Sequence, residues 1–75
     1  MDGLQHHAVV QSVLDYDDRL DVRFAMLAAI YRLERETDGF ATFRRLLEES
    51  SRSGEPVAIT VSGNRIEAVE PVGAG

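Results

Sequence analysis

Two residues near the C-terminus, Gly63-Asn64, constrain this chain more than any others. They separate two runs in which apolar and polar residues alternate, Val57-Ala58-Ile59-Thr60-Val61-Ser62 and Arg65-Ile66-Glu67-Ala68-Val69-Glu70. Glycine in the first central position of a two-residue turn is what a type II′ hairpin requires, because it takes positive φ at no steric cost. The turn predicts Val61 opposite Ile66 and Ile59 opposite Ala68. Side chains alternate across a strand, so Val57, Ile59, Val61, Ile66 and Ala68 fall on one face. That face is apolar, and helices are expected to cover it.

Upstream, the spacing predicts three helices. Asp2 and Gln5 are placed like an N-cap and its N3 partner, and Leu4, Ala8, Val9, Val13 and Tyr16 recur at helical intervals, giving a first helix over about 3–15. The β-branched run Ala8-Val9-Val10-Gln11-Ser12-Val13-Leu14 also suits a strand. Asp17 or Asp18 caps a second helix over about 19–37, with Asp21 at the positive end of its dipole. Phe24-Ala25-Met26-Leu27-Ala28-Ala29-Ile30-Tyr31 is rich in helix formers, and Gly39 suits the left-handed C′ position after it. A third helix over about 40–51 presents Phe40, Phe43, Leu46 and Leu47 on one face. The connector Ser50-Ser51-Arg52-Ser53-Gly54-Glu55-Pro56 leads into the hairpin, and residues 71–75 are expected to fray. The expected fold class is α+β: three helices followed by a C-terminal antiparallel β-hairpin, in one domain with a long central second helix.

Seventy-five residues make a small domain that buries about 60% of the surface its unfolded chain exposes. There is no cysteine, so disulfides and thiolate metal sites are closed to it. Association is the remaining way to bury more apolar area. In the expected second helix, Val22, Met26, Ala29, Ile30 and Leu33 make one stripe, while Phe24, Leu27, Ala28 and Tyr31 make a second on nearly the opposite side. The second stripe is the expected protein interface, against a second copy or another protein. The first residues lack the basic cluster and apolar core of a signal peptide, and the longest apolar run, Phe24 to Tyr31, is far short of a membrane span. A cytoplasmic protein that contacts no membrane is expected.

All 8 basic residues are arginine and the net charge is −5. The all-arginine usage suggests a GC-rich bacterial or phage genome. The acidic excess argues against non-specific attraction to phosphate backbones, which needs clustered positive charge.

No motif announces a reaction. His6 and His7 are adjacent, so they diverge on a helix and oppose each other on a strand, a poor geometry for gripping one ion. Asp15-Tyr16-Asp17-Asp18-Arg19-Leu20-Asp21 superficially suggests calcium, but Leu20 and Met26 occupy the positions where an EF-hand needs Gly and a bidentate Glu. Helix capping accounts for the same aspartates. The serines sit in the connector or the hairpin turn, away from both histidines, and there is no glycine-rich phosphate loop. Neither a catalytic site, a metal nor a cofactor is expected.

The favoured expectation is a non-catalytic interaction or regulatory module, homodimeric through Phe24, Leu27, Ala28 and Tyr31. One alternative is a winged-helix DNA-binding regulator, with Arg44, Arg45 and Arg52 on a recognition helix and Arg65 at the wing tip. Separately, Phe43-Arg44-Arg45-Leu46-Leu47 leading to Gly54-Glu55-Pro56-Val57 and on through Gly63-Asn64 resembles the helix-plus-hairpin segment of Phd/YefM-type antitoxins. That resemblance covers under half of the chain and would imply a dimeric DNA-binding regulator that neutralises a toxin. A third reading is an acidic inhibitor that fills a basic groove on another protein.

Overall fold

The computed structural model describes residues 4–72, and among these it contains six strands and one helix. The strands are β1 (Leu4–Ala8), β2 (Val10–Asp15), β3 (Arg19–Phe24), β4 (Ile30–Glu34), β5 (Val57–Ser62) and β6 (Arg65–Pro71), with α1 (Phe40–Ser53) between β4 and β5. They form one mixed sheet in the order β1-β5-β6-β4-β3-β2, antiparallel throughout except where β4 and β6 run parallel. The three-helix expectation is overturned: residues 4–15 and 19–34 are strands and turns. The proposed capping pair of Asp2 with Gln5 lies partly outside the described residues, and Gln5 itself is in β1.

The reason is periodicity. Arg19-Leu20-Asp21-Val22-Arg23-Phe24 alternates strictly, and its apolar members Leu20, Val22 and Phe24 are all buried. Tyr31 and Leu33 do the same in β4. A period of two puts these residues on one face of a strand, whereas on a helix Leu20 and Val22 would point about 200° apart. Asp17 and Asp18 lie between β2 and β3, and cap no helix.

The sheet curls. β1 and β2 are its opposite edges, yet only Val9 separates them in the chain, so the two edges come together there. The two edge strands meet at this corner without forming a ladder with each other. Above the junction, the C-terminal end of α1 fills the seam. The Val10 amide donates to Ser50 Oγ at 3.0 Å, and that hydroxyl donates to the Glu55 carbonyl at 2.5 Å. Ser50 is 3% exposed, so one buried side chain satisfies a strand amide and a connector carbonyl together.

The helix over Phe40–Ser53 lays Leu47 into the core, with Phe40, Phe43 and Leu46 packed around it. Gly39 precedes this helix as its N-cap, at φ 84°, where a following C′ role had been expected. A β-carbon at Gly39 would stand 3.1 Å from Phe43 Cζ, so glycine answers both a backbone and a packing need. Gly54 closes the helix at φ 80°, its amide bonded to the Ser50 carbonyl.

The terminal hairpin forms, with Gly63 at φ 63° and Val61 paired to Ile66. The register then shifts between Thr60 and Val61, so that Ile59 faces Val69 and Ala68 faces Thr60. Val69 therefore occupies the core position expected of Ala68. The Arg32 amide donates to the Asn64 carbonyl at 2.7 Å, tying β4 to the hairpin turn. β6 continues to Pro71, the first residue of the tail expected to fray; residues 73–75 lie outside the described residues.

Ser50→Ala is expected to leave the buried Val10 amide unpaired and to destabilise the fold by about 1–3 kcal/mol. Chemical denaturation measures the loss, and faster hydrogen exchange at Val10 locates it. Gly39→Ala is expected to cost roughly 1–2 kcal/mol, from the left-handed backbone and the Phe43 contact together. The same denaturation series checks it.

Candidate functional site

The segment expected to be the heart of a helix is the connection between β3 and β4. Phe24 and Tyr31 frame it, buried and packed edge to face with centroids 5.7 Å apart. Between them the chain turns back over residues 25–29. The Ala25 amide donates to the Val9 carbonyl at 2.8 Å, pinning the turn to the β1–β2 junction, and the Leu27 amide donates to the Phe24 carbonyl at 3.3 Å. Leu27 packs partly against the core, whereas Ala28 and Ala29 are exposed and Ile30 is half-exposed. Met26 stands 99% exposed at φ 71°, the one non-glycine residue of positive φ among those described. Residues 25–30 carry no charged or hydrogen-bonding side chain.

The expected interface is thus divided. Phe24 and Tyr31 are sealed by their own chain, Leu27 is partly so, and Ala28 alone is open. The two-striped helix that motivated a homodimer does not exist, so the packing argument for a second copy falls with it.

The outer face of the sheet is mostly charged, with Leu14 opposite Asp21 and Ile30 opposite Arg23 as exposed apolar residues. Across β3 and β4, Arg19 is paired to Glu34, Asp21 to Arg32 and Arg23 to Ile30, and Arg32 is in register with Arg65 of β6. Arg19 contacts Asp21 and Asp18, each at 3.0 Å, and its guanidinium lies 4.7 Å over the Tyr16 ring. The Asp21 hydrogen bond, followed by the charges of Asp21 and Asp18, raises the Arg19 pKa above its ordinary value. Arg32 Nε is shielded from water and stands 3.5 Å from Glu34 Oε2, an ion-pair distance longer than a hydrogen bond.

The residues of the DNA reading are scattered. Arg44 donates to Glu48 Oε2 at 3.1 Å and to Asp15 Oδ2 at 2.8 Å. The Glu48 hydrogen bond, then the Asp15 charge, raise its pKa. Asp15 also takes Arg35, whose guanidinium donates to the Tyr16 carbonyl and lies 5.1 Å over the Phe40 ring. Arg65 pairs with Glu67 at 3.4 Å. Arg45 and Arg52 are exposed on α1, and β6 carries Arg65 to the outer sheet face. A winged helix-turn-helix needs three helices before its hairpin; here strands occupy the first two places.

The candidate metal and catalytic groups are apart. His6 is half-buried on β1, its ring 6.3 Å from that of Tyr31, and His7 points to the other side in register with Ala58. Asp15 is engaged by Arg35 and Arg44, and Ser50 lies inside the seam. Among the described residues no group of three His, Cys, Asp or Glu side chains is arranged to hold an ion, and no helix is long and apolar enough to cross a membrane. The exposed turn itself had a sequence signal that was legible: two alternating runs, Arg19 to Phe24 and Tyr31 to Glu34, separated by residues 25–30.

A small curled sheet closed by one helix is a scaffold that other proteins also use. No family model matches the chain, and no curated protein matches it. Its fold is similar to the crystal structure of a pro-protein-glutaminase, with a TM-score of 0.85 at 17% identity over 96% of this chain. A mutant of pro-protein-glutaminase gives a TM-score of 0.80, also at 17% identity, over 91% of this chain. The chain spans 26% and 25% of those two proteins' lengths. At this identity the likeness is one of fold.

A methionine in the left-handed region carries roughly 1–2 kcal/mol of backbone strain, and glycine there recovers it less about 0.5–1 kcal/mol of chain entropy. Met26→Gly is therefore expected to stabilise the fold slightly, by about 0.5 kcal/mol. Thermal unfolding of the two proteins side by side checks the sign.

Proposed function

We propose that this chain is a non-catalytic protein-interaction module that docks on another protein and regulates or holds it. The observation that carries this reading is the division of labour among its side chains. Three groups capable of chemistry are used to build the fold: Ser50 bonds the Val10 amide, Asp15 joins β2 to Arg35 and Arg44, and His6 lies beside Tyr31. The apolar residues 26 and 28–30 are instead displayed to water. A second support is that the same fold occurs over about a quarter of the length of a longer protein.

The structural neighbours are forms of an enzyme, so the competing reading is amide hydrolysis at protein-bound glutamine. That reaction needs an activated nucleophile and a base within reach of one another. Purified chain incubated with casein is expected to release ammonia no faster than buffer alone. Release above that background, lost on heat denaturation, would overturn the non-catalytic reading.

A further inference from the structure

We infer that Met26 is a site of reversible oxidation: its thioether takes an oxygen from a peroxide to become the sulfoxide, methionine sulfoxide reductases restore it, and the fold is the same in either state. Met26 is 99% exposed, and it belongs neither to the core nor to the partly buried side chains packed on it. Its neighbours do not shield the sulfur. Ala25, Ala28 and Ala29 carry only methyl groups, and Leu27 packs toward the core. The exposure is held by the fold: Phe24 and Tyr31 are buried at the two ends of the turn, and the Ala25 amide is bonded to the Val9 carbonyl at 2.8 Å. The thioether therefore faces water in the native state, and no opening of the structure is needed to reach it.

Composition directs the oxidant to thioethers. A thiolate is the sulfur that peroxides attack first, and this chain has no cysteine. Its two methionines are Met26 and Met1, the latter outside the described residues. Residues 25–30 carry no charge, so a neutral peroxide is neither drawn nor repelled by them. The sulfur lone pair attacks one peroxide oxygen, and the S–O bond forms as the O–O bond breaks. The departing hydroxide takes the proton from the sulfur-bound oxygen, leaving sulfoxide and water; sulfur gives up the electron pair that the peroxide accepts. In the reverse step a reductase removes that oxygen as water while a pair of its thiols becomes a disulfide, with one enzyme for each sulfoxide epimer. Buried in a core, a sulfoxide would set a polar group among apolar neighbours. At Met26 it stays in water, so oxidation changes one point of the surface from apolar to polar and leaves the packing of Phe24, Leu27 and Tyr31 alone.

The test treats the full chain with hydrogen peroxide, with N-acetylmethionine amide in the same solution as the reference for an unshielded thioether. Catalase stops the reaction at intervals, and peptide mapping by mass spectrometry separates Met26 from Met1. Met26 in the folded protein is expected to oxidise within about threefold of the reference rate, and a slower rate would overturn the site. Treating the folded, oxidised chain with both classes of methionine sulfoxide reductase and dithiothreitol should return about nine-tenths or more of Met26 to the thioether. A smaller return would remove the reversibility. The Tm of the oxidised chain is expected to match that of the untreated chain within about 2 °C. Met26→Leu, oxidised in the same way, assigns any larger fall. A fall in the wild type that the variant does not share would overturn the claim that oxidation spares the fold, whereas one common to both belongs to Met1 and leaves Met26 as inferred.

Discussion

The hydroxyl of Ser50 is the smallest element on which the architecture depends. A sheet whose edge strands are consecutive in sequence must bend the chain sharply between them, and the bend leaves a strand amide facing away from its ladder. Val10 is that amide, and Ser50 reaches it from the last turns of α1 while also binding the Glu55 carbonyl. One side chain thereby couples three segments: the junction of β1 with β2, the end of the helix, and the lead into β5. Buried polar groups without partners are costly, so this bond makes closing the sheet and seating the helix one event.

Around that seam the interior is apolar and most charged groups lie outside. Leu20, Val22, Phe24, Leu33, Ile59 and Ile66 fill the interior with little or no exposure. The arginines and carboxylates tile the outer face in alternating sign, and Asp15 bridges Arg35 at the end of β4 to Arg44 on α1. These pairs are a third to a half exposed, so each contributes little to stability. The exposed apolar side chains are spread over the surface: Leu4 on β1, Leu14 and Tyr16 at the end of β2, and Met26 and Ile30 around the β3–β4 turn.

Parts of this were readable from residue order. Gly63-Asn64 set the final hairpin, and the stripe of Phe40, Phe43, Leu46 and Leu47 marked the helix that follows Gly39. The alternation of Leu20, Val22 and Phe24 was equally visible, but it competed with Phe24-Ala25-Met26-Leu27-Ala28-Ala29-Ile30-Tyr31, whose individual residues prefer helix. Propensity is a weak local bias of tenths of a kcal/mol per residue, and a sheet that buries Val22, Phe24, Tyr31 and Leu33 together outweighs it. The good helix formers were left in the turn, where only Leu27 packs against the core. The register shift that exchanges Ala68 for Val69 gave no advance sign, since a bulge is set by how the strands twist against neighbours.

Residue order by itself therefore determined the local geometry: where the backbone needed glycine, which stretches alternate, and which turn could join Ser62 to Arg65. Those properties depend on sterics within a few residues. Tertiary structure alone decided that the two edges of the sheet would meet at Val9, that Ser50 would be enclosed between them, and that an apolar segment would end as an exposed turn. Each of these depends on contacts between residues up to forty positions apart, and no short window of sequence contains both partners.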